Sequence, residues 1–335
     1  ENVYIHNTFS GGGFGRRLGP GEVAQAGAIS KQVGKPVELV WTCEEEIRQG
    51  RYRTQAAIRF KAGFAADGTP IALDMRNSAG SGNPNNVQNG IDPQTIQGLV
   101  NTAYRLPNFR VVSILKNTHV PLGPWRAPGH AQNVFFIESF IDEMALASGK
   151  DPVQLRRELL AHRPDFQQLI DVLVEKSDWG KPMPAGKGRG VAMHESYDSL
   201  VAMVAEVTVA NGEVKVDRVV IACDCGTVVN PRGVENQLEG GMIYGLSAAL
   251  FGNITIKDGR VEQGNFDTYP VVTLKDAPKT EVYISPTPGK RWGGVGEPAA
   301  TMIQPAVTNA IFAATGKRLR SLPIAGQDLR PNSGV

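Results

Sequence analysis

Residues 201–223, VAMVAEVTVANGEVKVDRVVIAC, contain the pattern that decides the fold class. Two apolar runs bracket Asn211-Gly212, and this dipeptide between such runs is the strongest short-range signal for a tight β-hairpin. A second hairpin is predicted where the alternating segment 53–66 reaches Asp67-Gly68 and a further apolar run begins at Ile71. Because hairpins pair their strands antiparallel, the sequence favours mixed α+β layers over one doubly wound parallel sheet.

Helical patterns surround the two hairpins. The clearest covers 131–148, and Asp151-Pro152 is typical of an N-cap followed by proline at the first helical position. Further helices are predicted at 22–33, 152–160, 234–250 and 298–314. Further strands are predicted at 1–9, 37–42 and 108–115, with an exposed loop at 78–97. This mixture predicts an α+β fold in which helices pack on mixed sheets.

Length and composition limit the domain count and the class of protein. A chain of 335 residues fits two domains, and a Pro/Gly-rich stretch predicts a division into 1–185 and 186–335. Apolar residues make up 41% of the chain, which excludes wholesale disorder. Lys and Arg number 35 against 33 Asp and Glu, which argues against a nucleic-acid-binding surface. No stretch approaches the roughly 20 apolar residues of a membrane helix, so no transmembrane segment is expected.

Residues with metal-binding or nucleophilic chemistry are few and scattered. Cys223 and Cys225 flank one residue, which is not the spacing of zinc ligands, and Cys43 is distant in sequence. His194-Glu195 lacks the second histidine of a zinc-protease motif, and no nucleophile elbow is present. The sequence therefore predicts no metal site made of protein ligands and disfavours hydrolase chemistry.

The first candidate site is the glycine-rich loop Gly11-Gly12-Gly13-Phe14-Gly15. Several backbone N–H groups at the entrance of a helix can bind an anion or an oxo group. The loop is not a P-loop, because no Gly-Lys-Ser/Thr follows, and it lacks the last glycine of a dinucleotide fingerprint. A ligand-binding loop and a simple sharp turn are equally compatible with this pattern.

Three polar residues lie in other segments that restrict the backbone or bring it close to a ligand. Arg126 lies between two prolines, which suits a guanidinium aimed at an oxyanion or carbonyl, although a surface ion pair is an equal alternative. Glu297 follows the glycine-rich segment 293–296 and can accept a proton, or it can stabilise a helix N-terminus by its charge. Gln237 can hold a ligand oxo group or can be satisfied by backbone.

The order of these motifs is more specific than any one of them. Gly-Gly-Gly-Phe-Gly, Arg-Ala-Pro-Gly, Gln-Leu-Glu-Gly and Gly-Val-Gly-Glu-Pro follow one another here, and in this order the chain resembles the molybdenum-binding subunit of the xanthine dehydrogenase/aldehyde oxidase family. Segments 37–41 and 138–143 resemble the same family. The chain is most similar to the isoquinoline 1-oxidoreductase β-subunit branch, which includes membrane-bound aldehyde dehydrogenase large subunits. The resemblance extends from about residue 3 to Asp328.

The resemblance implies a molybdopterin-type molybdenum cofactor, with the cytosine dinucleotide form as one alternative, and no protein ligand to the metal. Residues implied to contact the cofactor are Gly12, Gly13, Phe14, Gly15, Gln237 and Gly296. Arg126 is implied to orient the substrate, and Glu297 is implied to act as general base. The implied reaction is the hydroxylation of aldehydes or N-heteroaromatic substrates, with water as the source of oxygen.

The resemblance also implies partners. Electrons would pass to [2Fe–2S] clusters on a partner chain, since no cluster-binding cysteine pattern is present in this sequence. A cytochrome c is one candidate for the later electron acceptor. The branch favours a periplasmic or membrane-associated complex, with a cytoplasmic location as the alternative.

Two departures from the family pattern leave alternatives open. Arg16, Arg17 and Leu18 stand where the family often has a Lys and a Glu, and the Met-Gly-Gln-Gly motif of the family is absent. The sequence is therefore expected to be about the C-terminal half of a molybdenum subunit, with the N-terminal half as a separate chain or a missing segment. By itself the chain is not expected to retain cofactor. A non-catalytic scaffold or assembly module is the main alternative, and a nucleotide-binding dehydrogenase is supported by the glycine loop alone.

Overall fold

The computed structural model describes residues 3–287, 289 and 291–331. The helices in this part of the chain are α1 (Gly21–Val33), α2 (Cys43–Gln49), α3 (Pro93–Ile96), α4 (His130–Ala147), α5 (Pro152–Leu159), α6 (Pro164–Lys176), α7 (Pro231–Phe251) and α8 (Pro298–Thr315). The strands are β1 (Ala56–Phe64), β2 (Pro70–Ala79), β3 (Asn108–Leu115), β4 (Lys187–Ser196), β5 (Ser199–Ala210), β6 (Glu213–Asp224), β7 (Ile256–Lys257), β8 (Arg260–Val261) and β9 (Lys279–Ile284).

The first sheet is mixed and has the strand order β1-β2-β3. β1 and β2 are antiparallel, and the turn between them contains Gly68 with a φ of 82°. β3 pairs in parallel with β2, with Asn108 opposite Ala72. The hairpin predicted at Asp67-Gly68 and the strand predicted at 108–115 are both confirmed.

The second sheet has the order β4-β5-β6-β9, in which only the β6–β9 pair is parallel. Asn211 and Gly212 join β5 to β6 with φ values of 56° and 80°, as a type I′ turn requires. The hairpin predicted at this dipeptide is confirmed, whereas β4 and β9 are strands that the sequence patterns did not predict. The predicted α+β class with mixed sheets is also confirmed.

The second sheet is buried on both faces, which explains the almost continuous apolar run of β5. Val201, Met203 and Ala205 join a core that includes residues of α7 and α8. The alternate residues of the same strand, Leu200 and Ala202 among them, join a core that includes residues of α4, α5 and α6. One strand therefore contributes to two cores on opposite sides of the sheet.

Glycine in β4 allows α8 to approach the sheet closely. A Cβ on Gly190 would lie 2.1 Å from the backbone nitrogen of Ala310, so no side chain fits at this position. The missing side chains of Gly188 and Gly190 also weaken the apolar pattern of β4, which is why sequence periodicity did not detect the strand.

The N-terminal region differs from prediction. Strands are expected at 1–9 and 37–42, but residues 3–9 and 37–42 form no β-ladder in the structure. A strand requires a neighbour to satisfy its backbone groups, and none of the described residues supplies one for these segments. α1 is formed as predicted, yet none of its residues is buried. Val3, Tyr4, Ile5 and Phe9 are all exposed, although they are apolar or aromatic.

The segment 78–97 also differs from the predicted exposed loop. Ser81 and Asp92 are buried within it, and the Ser81 hydroxyl donates to Asp92 Oδ2 at 2.6 Å. Asp92 Oδ1 accepts the backbone N–H of Gln94 at 2.9 Å and caps the short helix α3. Local hydrogen bonds of Asx type order this loop despite its polar composition.

No helix among the described residues has the length and apolar character needed to cross a membrane.

Candidate active site

Arg126 connects three segments that are far apart in sequence. It precedes α4, is only 7% exposed, and its Nε donates to the carbonyl oxygen of Gly296 at 2.5 Å. Its Nη2 donates to the backbone oxygen of Gln237 at 3.3 Å and to the side-chain Oε1 at 3.2 Å. The structure therefore places Arg126, Gln237 and Gly296 in direct contact.

Glu297 lies at the N-cap of α8, but its side chain does not cap that helix. Its Oε1 instead accepts the backbone N–H of Ala127 at 2.9 Å. Burial lowers the pKa of Arg126, and the nearby Tyr244 and Glu297 partly oppose this effect. The carboxylate is thus held against the Arg126 loop, which is a more specific placement than a solvated charge at a helix end.

The glycine-rich loop 11–15 packs against the loop that carries Arg126. Gly15 has a φ of 97°, and a Cβ there would lie 2.7 Å from the carbonyl oxygen of Pro124. The Phe14 ring stacks on Tyr244 with 5.3 Å between centroids, and the Arg126 guanidinium carbon is 5.8 Å from the Phe14 ring. Phe14 and Gly15 are therefore close to the Arg126 cluster.

Gly12 and Gly13 are less closely connected to this cluster. A side chain on Gly12 would first meet the Phe14 ring, and one on Gly13 would first meet Arg17. Arg17 pairs with Glu22 at 3.0 Å and with Glu46 at 2.6 Å. The arginines that depart from the family pattern thus stabilise the segment around the loop by ion pairs.

Several residues of the site were not predicted from sequence. The guanidinium carbon of Arg53 lies 3.6 Å from the centroid of the Trp125 ring, and burial lowers the pKa of Arg53 to about 9. Tyr197 lies in the β4–β5 turn with a φ of 53°, and burial together with the Glu297 carboxylate raises the pKa of its phenol. Burial raises the pKa of Tyr244 to about 12. No local motif marks these residues, because their spacing in sequence has no regular pattern.

The Tyr197–Asp198 turn shows backbone strain at the site. Both residues have positive φ, 53° and 59°, which is unusual for a bulky side chain such as tyrosine. Gly294 donates its N–H to the Tyr197 carbonyl at 2.8 Å, and a Cβ on Gly293 would lie 2.2 Å from Ser199 Oγ. The second glycine segment therefore packs directly on this turn and supports it.

A buried pair of histidines lies next to the Tyr197 ring. His130 Nδ1 and His194 Nε2 are 3.2 Å apart, and the His130 ring is 5.2 Å from the Tyr197 ring. Burial lowers the pKa of His130 to about 4, and burial together with His130 lowers the pKa of His194 to about 3. Both rings are therefore neutral at neutral pH.

The buried pair His130 and His194 should make the folded protein less stable in acid. Below pH 6.5 the unfolded histidines take up protons, whereas the folded ones do not until the pH approaches 4, so the free energy of unfolding falls as the pH falls through this window. The expected loss is on the order of 3 kcal/mol per histidine. Urea unfolding at pH 7 and pH 4.5 measures it, and replacing both residues by Gln should flatten the acid dependence. The exposed His119→Gln control should leave it unchanged, and an equal effect of the control would contradict this prediction.

Two protein-family models, each described as a molybdopterin cofactor-binding domain, match most of the chain. One matches residues 1–160 and the other matches residues 146–278. The chain belongs to the molybdopterin cofactor-binding family. Its glycine loop, Arg126 and Gln237 all lie within the two matched regions.

Curated members of the family resemble the chain along almost its whole length. The beta subunit of isoquinoline 1-oxidoreductase from Brevundimonas diminuta is 32% identical over 97% of this chain and 43% of that protein. Membrane-bound aldehyde dehydrogenase [pyrroloquinoline-quinone] of Gluconacetobacter polyoxogenes is 31% identical over 98% of this chain and 47% of that protein. A nicotinate dehydrogenase subunit of Pseudomonas putida is 30% identical over 96% of this chain and 30% of that protein. The chain thus spans less than half the length of these relatives.

Solved structures share the fold at low sequence identity. The aldehyde oxidoreductase of Desulfovibrio gigas matches with a TM-score of 0.79 and 18% identity, over 94% of this chain and 53% of that one. Quinoline 2-oxidoreductase of Pseudomonas putida 86 matches with a TM-score of 0.75 and 16% identity, over 91% of this chain and 65% of that one.

The chemistry of the site fits a molybdopterin cofactor. Among the described residues, no group of three or more His, Cys, Asp or Glu side chains could hold a metal ion. The site instead offers hydrogen-bond donors and bare backbone for an oxo or phosphate group. Gln237, Arg126 and the Phe14–Gly15 backbone are the residues that would hold the group.

Proposed function

We propose that this chain forms the catalytic part of a molybdenum hydroxylase that oxidises aldehydes or N-heteroaromatic compounds with water as the oxygen source. The observation that carries the proposal is the contact between Glu297 Oε1 and the Ala127 N–H at 2.9 Å, beside an Arg126 that binds Gly296 and Gln237. A proton acceptor and a fixed cation are thus held together at the point where the motifs meet.

The overall reaction assigns a role to each residue. Substrate R–H and water give R–OH, two protons and two electrons, and the bound cofactor supplies the two-electron chemistry. Glu297 accepts a proton from the oxygen that attacks the substrate carbon. Arg126 orients the substrate or its developing negative charge, since its guanidinium is fixed by two backbone carbonyls. Gly12, Gly13, Phe14, Gly15, Gln237 and Gly296 contact the cofactor.

The proposal includes partners. Electrons leave through [2Fe–2S] clusters on a partner chain, with a cytochrome c as one later acceptor, and the cytosine dinucleotide form is one alternative for the cofactor. The N-terminal half of the molybdenum subunit covers the exposed apolar residues of segment 3–9 and of α1, and it pairs with the segments predicted as strands at 1–9 and 37–42. This pairing would satisfy backbone groups that have no ladder partner within the described residues. The division into domains 1–185 and 186–335 is part of the same proposal.

The scaffold alternative has less support. Catalytic side chains that have lost their role are not expected to stay in specific contacts, yet Glu297 and Arg126 both keep defined hydrogen-bond partners. Among the described residues of the site, no contact beyond the glycine loop itself supports a nucleotide-binding dehydrogenase.

The complete complex, containing the N-terminal half, tests the proposal. It should contain stoichiometric molybdenum and pterin and should turn over members of a panel of aldehydes and azaarenes. Gly15→Ala should lower both cofactor content and turnover at least tenfold, because its Cβ would collide with the Pro124 backbone 2.7 Å away. Gly19→Ala is the matched control, since its Cβ would meet no atom within 4 Å. A complex without molybdenum, or one loaded but inactive on every substrate, would overturn the proposal.

A further inference from the structure

One peptide group connects Arg53 to Glu297. Arg53 Nη2 donates to the carbonyl oxygen of Arg126 at 3.2 Å, and the N–H of Ala127 in the same peptide group donates to Glu297 Oε1 at 2.9 Å. Hydrogen bonds at the two ends of a peptide group strengthen one another by polarisation. We propose that Arg53 is a positioning residue, which orients the Glu297 carboxylate through the Arg126–Ala127 peptide. This inference rests on the role proposed for Glu297 above.

Arg53 is not explained as a structural ion pair. Among the described residues no carboxylate lies within 4 Å of its guanidinium, and the titratable groups that act on it are Tyr197, Tyr244 and Tyr269. Arg53 is partly buried, and a cation that loses part of its water without an acidic partner is costly. Trp125 covers one face of the guanidinium and so fixes the plane in which Arg53 donates. The one hydrogen bond that its side chain makes to a described residue goes to the Arg126 carbonyl.

The peptide that Arg53 holds has a backbone conformation that needs support. Ala127 is fully buried and has a φ of 65°, a left-handed value that L-residues adopt at a cost. Pro128 follows and restricts the backbone of Ala127 further. Rotation of the Arg126–Ala127 peptide group would turn the Ala127 N–H away from Glu297. The bond from Arg53 opposes this rotation from the carbonyl side.

Hydrogen exchange of the Ala127 amide in the complete complex measures this positioning directly. In the segment Pro124–Gly129 only four residues carry an exchangeable amide, because two are prolines, so overlapping peptides isolate Ala127 in mass spectrometry. Arg53→Met should increase the exchange rate of Ala127 at least tenfold, and Arg53→Lys should restore part of the protection. Arg59→Met, an exposed arginine on β1, is the matched control and should leave exchange unchanged.

The turnover kinetics of the complete complex with bound cofactor provide a second readout. Arg53→Met should lower kcat at least tenfold while KM stays within twofold, since the substrate is not the partner of Arg53. In a Glu297→Ala background, in which the side-chain acceptor of the Ala127 N–H is lost, Arg53→Met should change Ala127 exchange by a smaller factor than in the unaltered protein.

Three results would overturn the inference. They are unchanged Ala127 exchange in Arg53→Met, a rise in KM with kcat preserved, and an equal effect of Arg53→Met with and without Glu297. If Glu297→Gln itself leaves turnover intact, the proposed function fails, whereas the exchange measurement still decides whether Arg53 positions residue 297.

Discussion

Glu297→Gln should lower the turnover of the complete complex by a factor of about 10²–10⁴, with molybdenum content unchanged. Glutamine retains an acceptor oxygen for the Ala127 N–H, so the loop contact at 2.9 Å is expected to persist. The substitution removes only the ability to accept a proton at neutral pH. Loss of rate without loss of cofactor is therefore the signature of a general base.

A nearby carboxylate provides the control for this substitution. Glu239 lies on the exposed face of α7, two residues after Gln237, and Glu239→Gln should leave turnover within twofold. The measurement is the rate of substrate-dependent reduction in a single turnover, with molybdenum determined in the same samples. Full activity of Glu297→Gln with bound molybdenum would remove Glu297 from the role of base.

Arg156→Met should lower the free energy of unfolding by about 3–5 kcal/mol, because it leaves a buried carboxylate without its cation. Arg156 and Glu138 are both fully buried, and Glu138 Oε2 accepts from Arg156 Nε at 3.1 Å and from Nη2 at 3.0 Å. The same oxygen accepts the Met193 N–H at 3.0 Å, and Oε1 accepts the Tyr104 hydroxyl at 2.7 Å. Burial raises the pKa of Glu138, and the Arg156 charge opposes this shift.

The adjacent residue provides a control in the same helix. Arg157 pairs with Asp171 at 2.6 Å, but the Asp171 side chain is 69% exposed, so Arg157→Met should cost at most about 1 kcal/mol. Urea unfolding of the wild type and the two variants compares them. Adding Glu138→Gln to Arg156→Met should recover part of the loss, because no unpaired charge then remains buried at Glu138. Equal destabilisation by the buried and exposed substitutions would contradict the prediction.

The sequence predicted elements wherever local signals were strong. The helix expected at 131–148 is α4, and the proline-initiated helix at 152–160 is α5, capped by Asp151 through the N–H groups of Val153 and Gln154. It failed at 3–9 and 37–42, where an alternating pattern indicated strands but the described residues offer no partner strand, and residues 1–2 of the first predicted strand lie outside the described residues. An alternating apolar pattern indicates the tendency of a segment to form a strand. Pairing with a neighbouring strand supplies the hydrogen bonds that the strand needs.

For the candidate site, the order of motifs led to the family and to Arg126, Gln237 and Glu297, and their roles stay predictions. Arg53 and Tyr197 could not be found in this way. Arg53 precedes β1 without any motif of its own, and Tyr197 occupies a hairpin turn whose sequence is atypical for that conformation. Their relevance depends on which side chains lie next to them in space.

By itself the sequence determined the α+β class, the Asn211-Gly212 turn and the membership in a cofactor-binding family, because each of these depends on neighbouring residues or on motif order. Only the tertiary structure decided that the Arg126 loop meets Glu297 across 170 residues of chain, and Arg53 across 73. A hydrogen bond forms when donor and acceptor lie about 3 Å apart, whatever their separation in sequence. Which loops come within that distance depends on how α4, α7 and α8 pack together, and no local pattern contains this information.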